Sequence, residues 1–122
     1  MAACGLFAQS ETPTPVFSRE SIRPAGGSSK ALAPGMVVEL YGQHLSPEPW
    51  CGRARMPKTP YPTEICGVRV LVGSSPSELL YVGPGQINLK IPADAPAEGT
   101  APFQVCVGEV CSAKVTMQFS AH

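Results

Sequence analysis

The chain has 122 residues, and its nine basic and nine acidic side chains cancel to a formal net charge of zero. That balance provides no field to gather nucleic acid or an anionic membrane, and no stretch has the apolar length of a membrane-spanning helix. Fourteen prolines and twelve glycines argue against long helices and for short strands with stiff connections, while a single aspartate, Asp94, excludes the Asp-rich loops of most calcium sites.

The first ten residues are small and apolar and look like the end of a secretory signal, with Leu6, Phe7 and Ala8 as a cleavage site before Gln9. There is no basic segment and the apolar run is short, so the expectation is a signal that begins upstream; an irregular tail is the alternative. Residues 1–12 are assigned to this remnant or tail and 13–120 to one domain. The linker at 11–15 carries Pro13 and Pro15, which disfavour helix.

The predicted elements follow in chain order. Residues 16–18 read as a short first strand and 19–35 as a loop, because Pro24, the Gly-Gly-Ser-Ser run at 26–29 and Pro34-Gly35 interrupt any pattern. Residues 36–41 read as a strand stopped by Gly42, with Met36, Val38 and Leu40 toward the core and Val37, Glu39 and Tyr41 on the other side. Residues 46–65, with five prolines, read as the longest irregular stretch. Strand character returns at 67–72, where Val68, Val70 and Val72 share a face, and again at 77–82.

Pro84-Gly85 reads as a type II turn, Pro84 setting φ at the first corner and Gly85 supplying positive φ at the second. Residues 86–91 follow as a half-buried strand with Ile87, Leu89 and Ile91 inward. Residues 92–99 form a turn-rich connection. Strands at about 101–107 and 110–119, joined around Gly108-Glu109, close the chain as a hairpin. About seven short strands in a hundred residues predict an all-β, two-sheet sandwich.

Three of these segments together resemble a known family. They are residues 33–45 (Ala-Pro-Gly-Met-Val-Val-Glu-Leu-Tyr-Gly-Gln-His-Leu), 67–73 (Gly-Val-Arg-Val-Leu-Val-Gly) and 80–92 (Leu-Tyr-Val-Gly-Pro-Gly-Gln-Ile-Asn-Leu-Lys-Ile-Pro). In that order they resemble an uncharacterised C-terminal domain family of secreted acidobacterial proteins, itself similar to the IPT/TIG immunoglobulin-like domains. The resemblance covers roughly residues 14–119. It implies an extracellular immunoglobulin-like sandwich, usually at the end of a longer secreted protein, with no catalytic residues to carry over. The chain departs from the family in its cysteines and in the Pro-rich segment between the first two stretches.

Cys4 stands apart, and Cys51, Cys66, Cys106 and Cys111 leave an even set of four whose spacing is not that of zinc or thioredoxin-like pairs. Two disulfides in an oxidising compartment are expected. A Cys51–Cys66 bond closes a loop of about fifteen residues. Cys106 and Cys111 flank the last turn, where two arguments conflict. A two-residue turn sets the cysteines opposite each other but places Phe103 against Lys114 and Val105 against Ser112, which mixes faces. A bulge or a longer turn aligns Phe103 with Val115 but separates the cysteines. The bridge is preferred, because a bulge beyond it restores the core register.

The candidate site is the segment 47–66, where Trp50 and Tyr61 lie among Arg53, Arg55 and Lys58; aromatics with cations stack on sugar rings or anchor a protein partner. The blander reading has Trp50 plugging one end of the sandwich. Gln86 and Asn88 are expected to hydrogen-bond backbone and lock the Pro84-Gly85 turn rather than meet a ligand. His44 and His122 lack the context of a nucleophile or a metal site, and no hydrolase, metalloprotease or P-loop pattern occurs. The expectation is a secreted, non-catalytic interaction module with no cofactor or metal, meeting a protein or polysaccharide partner. The alternatives are a carbohydrate-binding module using the Trp50–Cys66 loop, or an accessory domain of a secreted hydrolase.

Overall fold

Alternating apolar and polar residues build the strands of this protein, whose computed structural model describes residues 13–25, 31–47, 51–53 and 60–120. The elements in order are β1 (Val16–Pro24), β2 (Val37–Gln43), β3 (Gly52–Arg53), β4 (Val68–Val72), β5 (Ser75–Pro76), β6 (Glu78–Val82), β7 (Gln86–Lys90), β8 (Gly99–Val107), β9 (Val110–Cys111) and β10 (Val115–Phe119). The described residues contain no helix. Two antiparallel sheets form, ordered β1-β2-β7-β6-β3 and β10-β8-β4-β5, with β9 also paired to β8. The fold is an all-β sandwich, as the strand pattern predicts.

Period two decides what goes inside. Val38 and Leu40 of β2, Val68, Val70 and Val72 of β4, Ile87 and Leu89 of β7, with Ile91 just beyond it, are all buried, as are Phe103 and Val105 of β8. Phe103 and Phe119 stack across the second sheet with centroids 6.2 Å apart. Met36, expected in the core, is half-buried and packs against it. Leu32 crosses over to pair in parallel with Phe119, so the chain after β1 closes onto the second sheet.

Several boundaries differ from expectation. β8 begins at Gly99, inside the expected connection, and the expected strand over 110–119 is broken between β9 and β10. Three differences fall on the first half of the chain. The loop expected over 19–35 is strand as far as Pro24: β1 pairs with β2 on both sides of a bulge, Val16 opposite Gln43 and Ile22 opposite Leu40. The bulge carries the polar residues 18–21 and so hides the alternation. It is closed locally, the Ser18 N–H donating to Ser21 Oγ at 3.0 Å and that hydroxyl donating to the Ser18 carbonyl at 2.7 Å. Gly42 does not stop β2; it lies within the strand, opposite Phe17. The segment expected to be irregular over 46–65 holds the two-residue strand β3, and Ile65 bridges to Val68.

The last hairpin satisfies both of the conflicting registers in turn. Cys106 pairs with Cys111 and Val107 with Val110 around the two-residue turn, and four residues further along the chain Val115 pairs with Phe103. One extra residue on the outer strand absorbs the shift. Ser112 bridges the gap. Its N–H donates to the Val105 carbonyl at 2.8 Å, and its buried hydroxyl accepts from the Val105 N–H at 3.1 Å while donating to the Ala113 carbonyl at 2.8 Å. Ser112→Ala leaves the Val105 N–H without that partner, so we expect a loss of about 2 kcal/mol in urea denaturation.

Ser77 is the contrasting case. It is buried where the chain passes from β5 to β6, and its hydroxyl has no hydrogen-bond partner among the described residues. Removing an unsatisfied buried hydroxyl relieves its desolvation cost, so Ser77→Ala should raise stability by about 1 kcal/mol. A lower urea midpoint would refute that account.

Candidate functional site

The outer face of the first sheet collects the polar side chains that alternate with the core. On β7 these are Gln86, Asn88 and Lys90; on β2 they are Glu39 and Tyr41, with the apolar Val37 on the same face; on β6 they include Glu78 and Tyr81. All are half-buried. The register aligns one of them from each of β1, β2, β7 and β6, and continues to a backbone position on β3. Arg23 of β1 is opposite Glu39, Glu39 opposite Asn88, Asn88 opposite Tyr81, and Tyr81 opposite Arg53 of β3. One row therefore crosses all five strands, and Gln86 opposite Tyr41 begins a second row beside it.

The two rows are tied together along the strands. Gln86 Nε2 donates to Asn88 Oδ1 at 2.9 Å, and the Tyr41 hydroxyl donates to Glu39 Oε1 at 2.8 Å. That bond to Glu39 holds the Tyr41 pKa above its ordinary value; desolvation and the Glu39 charge act in the same direction and Arg23 opposes them. Tyr41 thus presents a neutral phenol at any physiological pH.

Tyr81 lies down along its own strand. A Cβ placed on Gly83 would stand 2.6 Å from Tyr81 Oη, 3.1 Å from Cζ and 3.2 Å from Cε2, so the phenol end covers that glycine. Gly83 is accordingly buried although it follows a strand face that points outward. The absence of a side chain at 83 is what lets the ring come down. Tyr41, bonded to a residue two positions back, likewise runs along its strand. The two tyrosines flank the Gln86–Asn88 pair from either side, separated by two strand spacings, roughly 10 Å. Beyond Tyr41 the β1 bulge forms a wall, and Ser18, Glu20, Ser21, Arg23 and Tyr41 line a shallow open concavity of about 350 Å³.

The turn that starts β7 differs from the type II geometry expected of Pro84-Gly85. Gly85 is not among the glycines with positive φ. The Gly83 N–H donates to the Gln86 carbonyl across the turn at 2.8 Å, and the turn is also held from outside, its Pro84 and Gly85 carbonyls accepting from the N–H groups of Leu45 and Gly42 at 3.0 and 3.1 Å. Gln86 and Asn88 do not lock it through backbone, as expected; their side chains bond each other on the sheet face.

The loop expected to form the site is closed as predicted by the Cys51–Cys66 disulfide. Trp50, Arg55 and Lys58 lie outside the described residues, and Arg53 is placed by its backbone register opposite Tyr81. Tyr61 is half-buried, its N–H donating to Glu78 Oε1 at 2.9 Å, so this segment runs alongside β6. The second expected bridge, Cys106–Cys111, is also formed. His44 is exposed, and no group of three potential metal ligands occurs among the described residues.

Sequence reasoning put Glu39 and Tyr41 on the outward face but missed Tyr81, Arg23 and the row that unites them. The one local signal was the Tyr81-Val82-Gly83 spacing, with a small residue two places after an aromatic. Comparison with protein-family models, with curated proteins and with solved structures finds no match to this chain.

Proposed function

We propose that this chain is an exported, non-catalytic interaction module of immunoglobulin-like architecture, serving adhesion, surface attachment or partner binding. The observation that carries the proposal is the outer face of the first sheet. It sets amides, phenols and charged side chains side by side in register, with Tyr41 bonded to Glu39 along β2 and Gln86 to Asn88 along β7, a surface suited to contact rather than to bond-breaking. The strand order supports the immunoglobulin reading, since β1-β2-β7-β6 facing β10-β8-β4 follows the ABED and GFC arrangement of constant-type domains. It also agrees with the family resemblance of the three signature segments. Two disulfides support an oxidising compartment.

The test is the intact mass of the natively produced, exported protein, alkylated with and without prior reduction. Cys51, Cys66, Cys106 and Cys111 should be protected until reduction. Retention in the cell with these four thiols alkylated directly would overturn the proposal.

A further inference from the structure

We infer that the outer face of the first sheet is a binding platform for a neutral polysaccharide chain, with Tyr81 and Tyr41 as stacking surfaces and Gln86 and Asn88 as the hydrogen-bonding centre between them. The inference rests on the interaction reading only in taking this face as the contact surface.

Sugars present two chemistries at once, apolar C–H faces and a rim of hydroxyls that both donate and accept. A site for them needs flat aromatic faces and planar polar groups side by side. Tyr81 supplies the first, its phenol end lying over Gly83 on the outer side of the sheet. Tyr41 supplies a second, pinned along β2 by Glu39. Between them, one bond joins Gln86 Nε2 to Asn88 Oδ1, which leaves the Gln86 carbonyl and the Asn88 amide nitrogen to accept and donate. Because the polar groups bind each other in advance, little rotamer freedom remains to be lost when a ligand arrives.

Charge decides which polysaccharide fits. In the row across the strands, Arg23 stands opposite Glu39, and in the next row Lys90 stands opposite Glu78, so these two cations each face an anion in register. The groups between the tyrosines are neutral amides. That favours an uncharged chain over a polyuronate, which would need unmatched cations. Length decides between a single sugar and a chain: the path from Tyr81 over Asn88 and Glu39 to Arg23 crosses three strand spacings, about 14 Å. The concavity beside Tyr41 continues it past the sheet edge.

Affinity electrophoresis of the full chain through gels containing soluble β-glucan, xylan or mannan tests this, with polygalacturonate as the charged comparison. The wild type should be retarded by at least one neutral polymer. Tyr81→Ala should weaken that retardation about tenfold or more, as loss of a central aromatic anchor does. Tyr81→Phe, which keeps the ring, should stay within about threefold. Gly83→Ala, which lifts the ring without removing it, should weaken binding while a thermal melt shows the variant folded. Any one of three results would overturn the inference: no retardation by any neutral polymer, retardation by polygalacturonate alone, or loss of binding in Trp50→Ala with Tyr81→Ala and Gly83→Ala unaffected. Those results leave the export and thiol-protection test standing, so the interaction reading is judged separately.

Discussion

Replacing Gly42 by alanine should cost about 3 kcal/mol or more, at the upper end of what overpacking does. The added Cβ would stand 2.2 Å from the Val16 carbonyl oxygen and 3.0 Å from Phe17 Cβ. Backbone cannot swing aside as a flexible side chain would, so β1 has to separate from β2 at the pairs Val16–Gln43 and Phe17–Gly42. The consequence reaches further, because the Gly42 N–H also holds the Gly85 carbonyl of the β6–β7 turn. Gly85→Ala is the control: its Cβ would meet the Gly42 carbonyl oxygen at an ordinary 3.8 Å, so that change should cost less than about 1 kcal/mol. Urea denaturation of both variants decides the matter. Equal midpoints would mean that the close approach of β1 to β2 does not limit stability.

Removing the Cys51–Cys66 bridge, as Cys51→Ala with Cys66→Ala, should cost about 3 kcal/mol by the chain-entropy account of a fifteen-residue separation. The native state adds a second term. Cys66 has φ of 59° and Gly67 of 76°, two successive left-handed residues that reverse the chain between Ile65 and Val68. Those flanking residues exchange both backbone hydrogen bonds, at 3.2 and 2.8 Å. A left-handed alanine costs on the order of 1 kcal/mol, which glycine avoids. Cys51→Ala with Cys66→Gly should therefore be more stable than the double-alanine variant by about 1 kcal/mol. If the glycine version were no more stable, the turn would not be under the conformational demand its φ angles describe. The Cys106–Cys111 bond spans only five positions, so its removal should cost less, about 2 kcal/mol.

The candidate site shows why function was harder to read than fold. Gln86 and Asn88 stood out in the sequence for their place in the signature segment, but their role there was assigned to the turn. Their actual partners are each other and, across the strands, Tyr41, Glu39 and Tyr81. Those residues are more than forty positions away on β2 and fewer than ten on β6. The Pro84-Gly85 turn makes β6 a neighbour of β7, but nothing in a linear pattern says that β2 flanks β7 on its other side. The segment favoured instead, from Trp50 to Cys66, drew attention because its aromatics and cations are contiguous. Its Arg53 meets the row only through the register of β3.

What the amino-acid sequence determined by itself was local and periodic. Alternation placed Val38, Leu40, Val68, Val70, Val72, Ile87, Leu89 and Ile91 in the core, because side chains two apart share a face whatever lies beside them. The cysteine pairing and the bulge after it were also legible, since a two-residue turn and the placement of Phe103 opposite Val115 leave one extra residue to absorb. Apart from the strands joined by tight turns, the tertiary structure alone decided which strands are neighbours. That order extended β1 past its bulge against β2, made Gly42 necessary, and drew the Pro84 and Gly85 carbonyls toward the end of β2. It also assembled one polar row from four separate strands. Period two names a face, but only the sheet order, set by how the two apolar faces pack together, names what stands next to it.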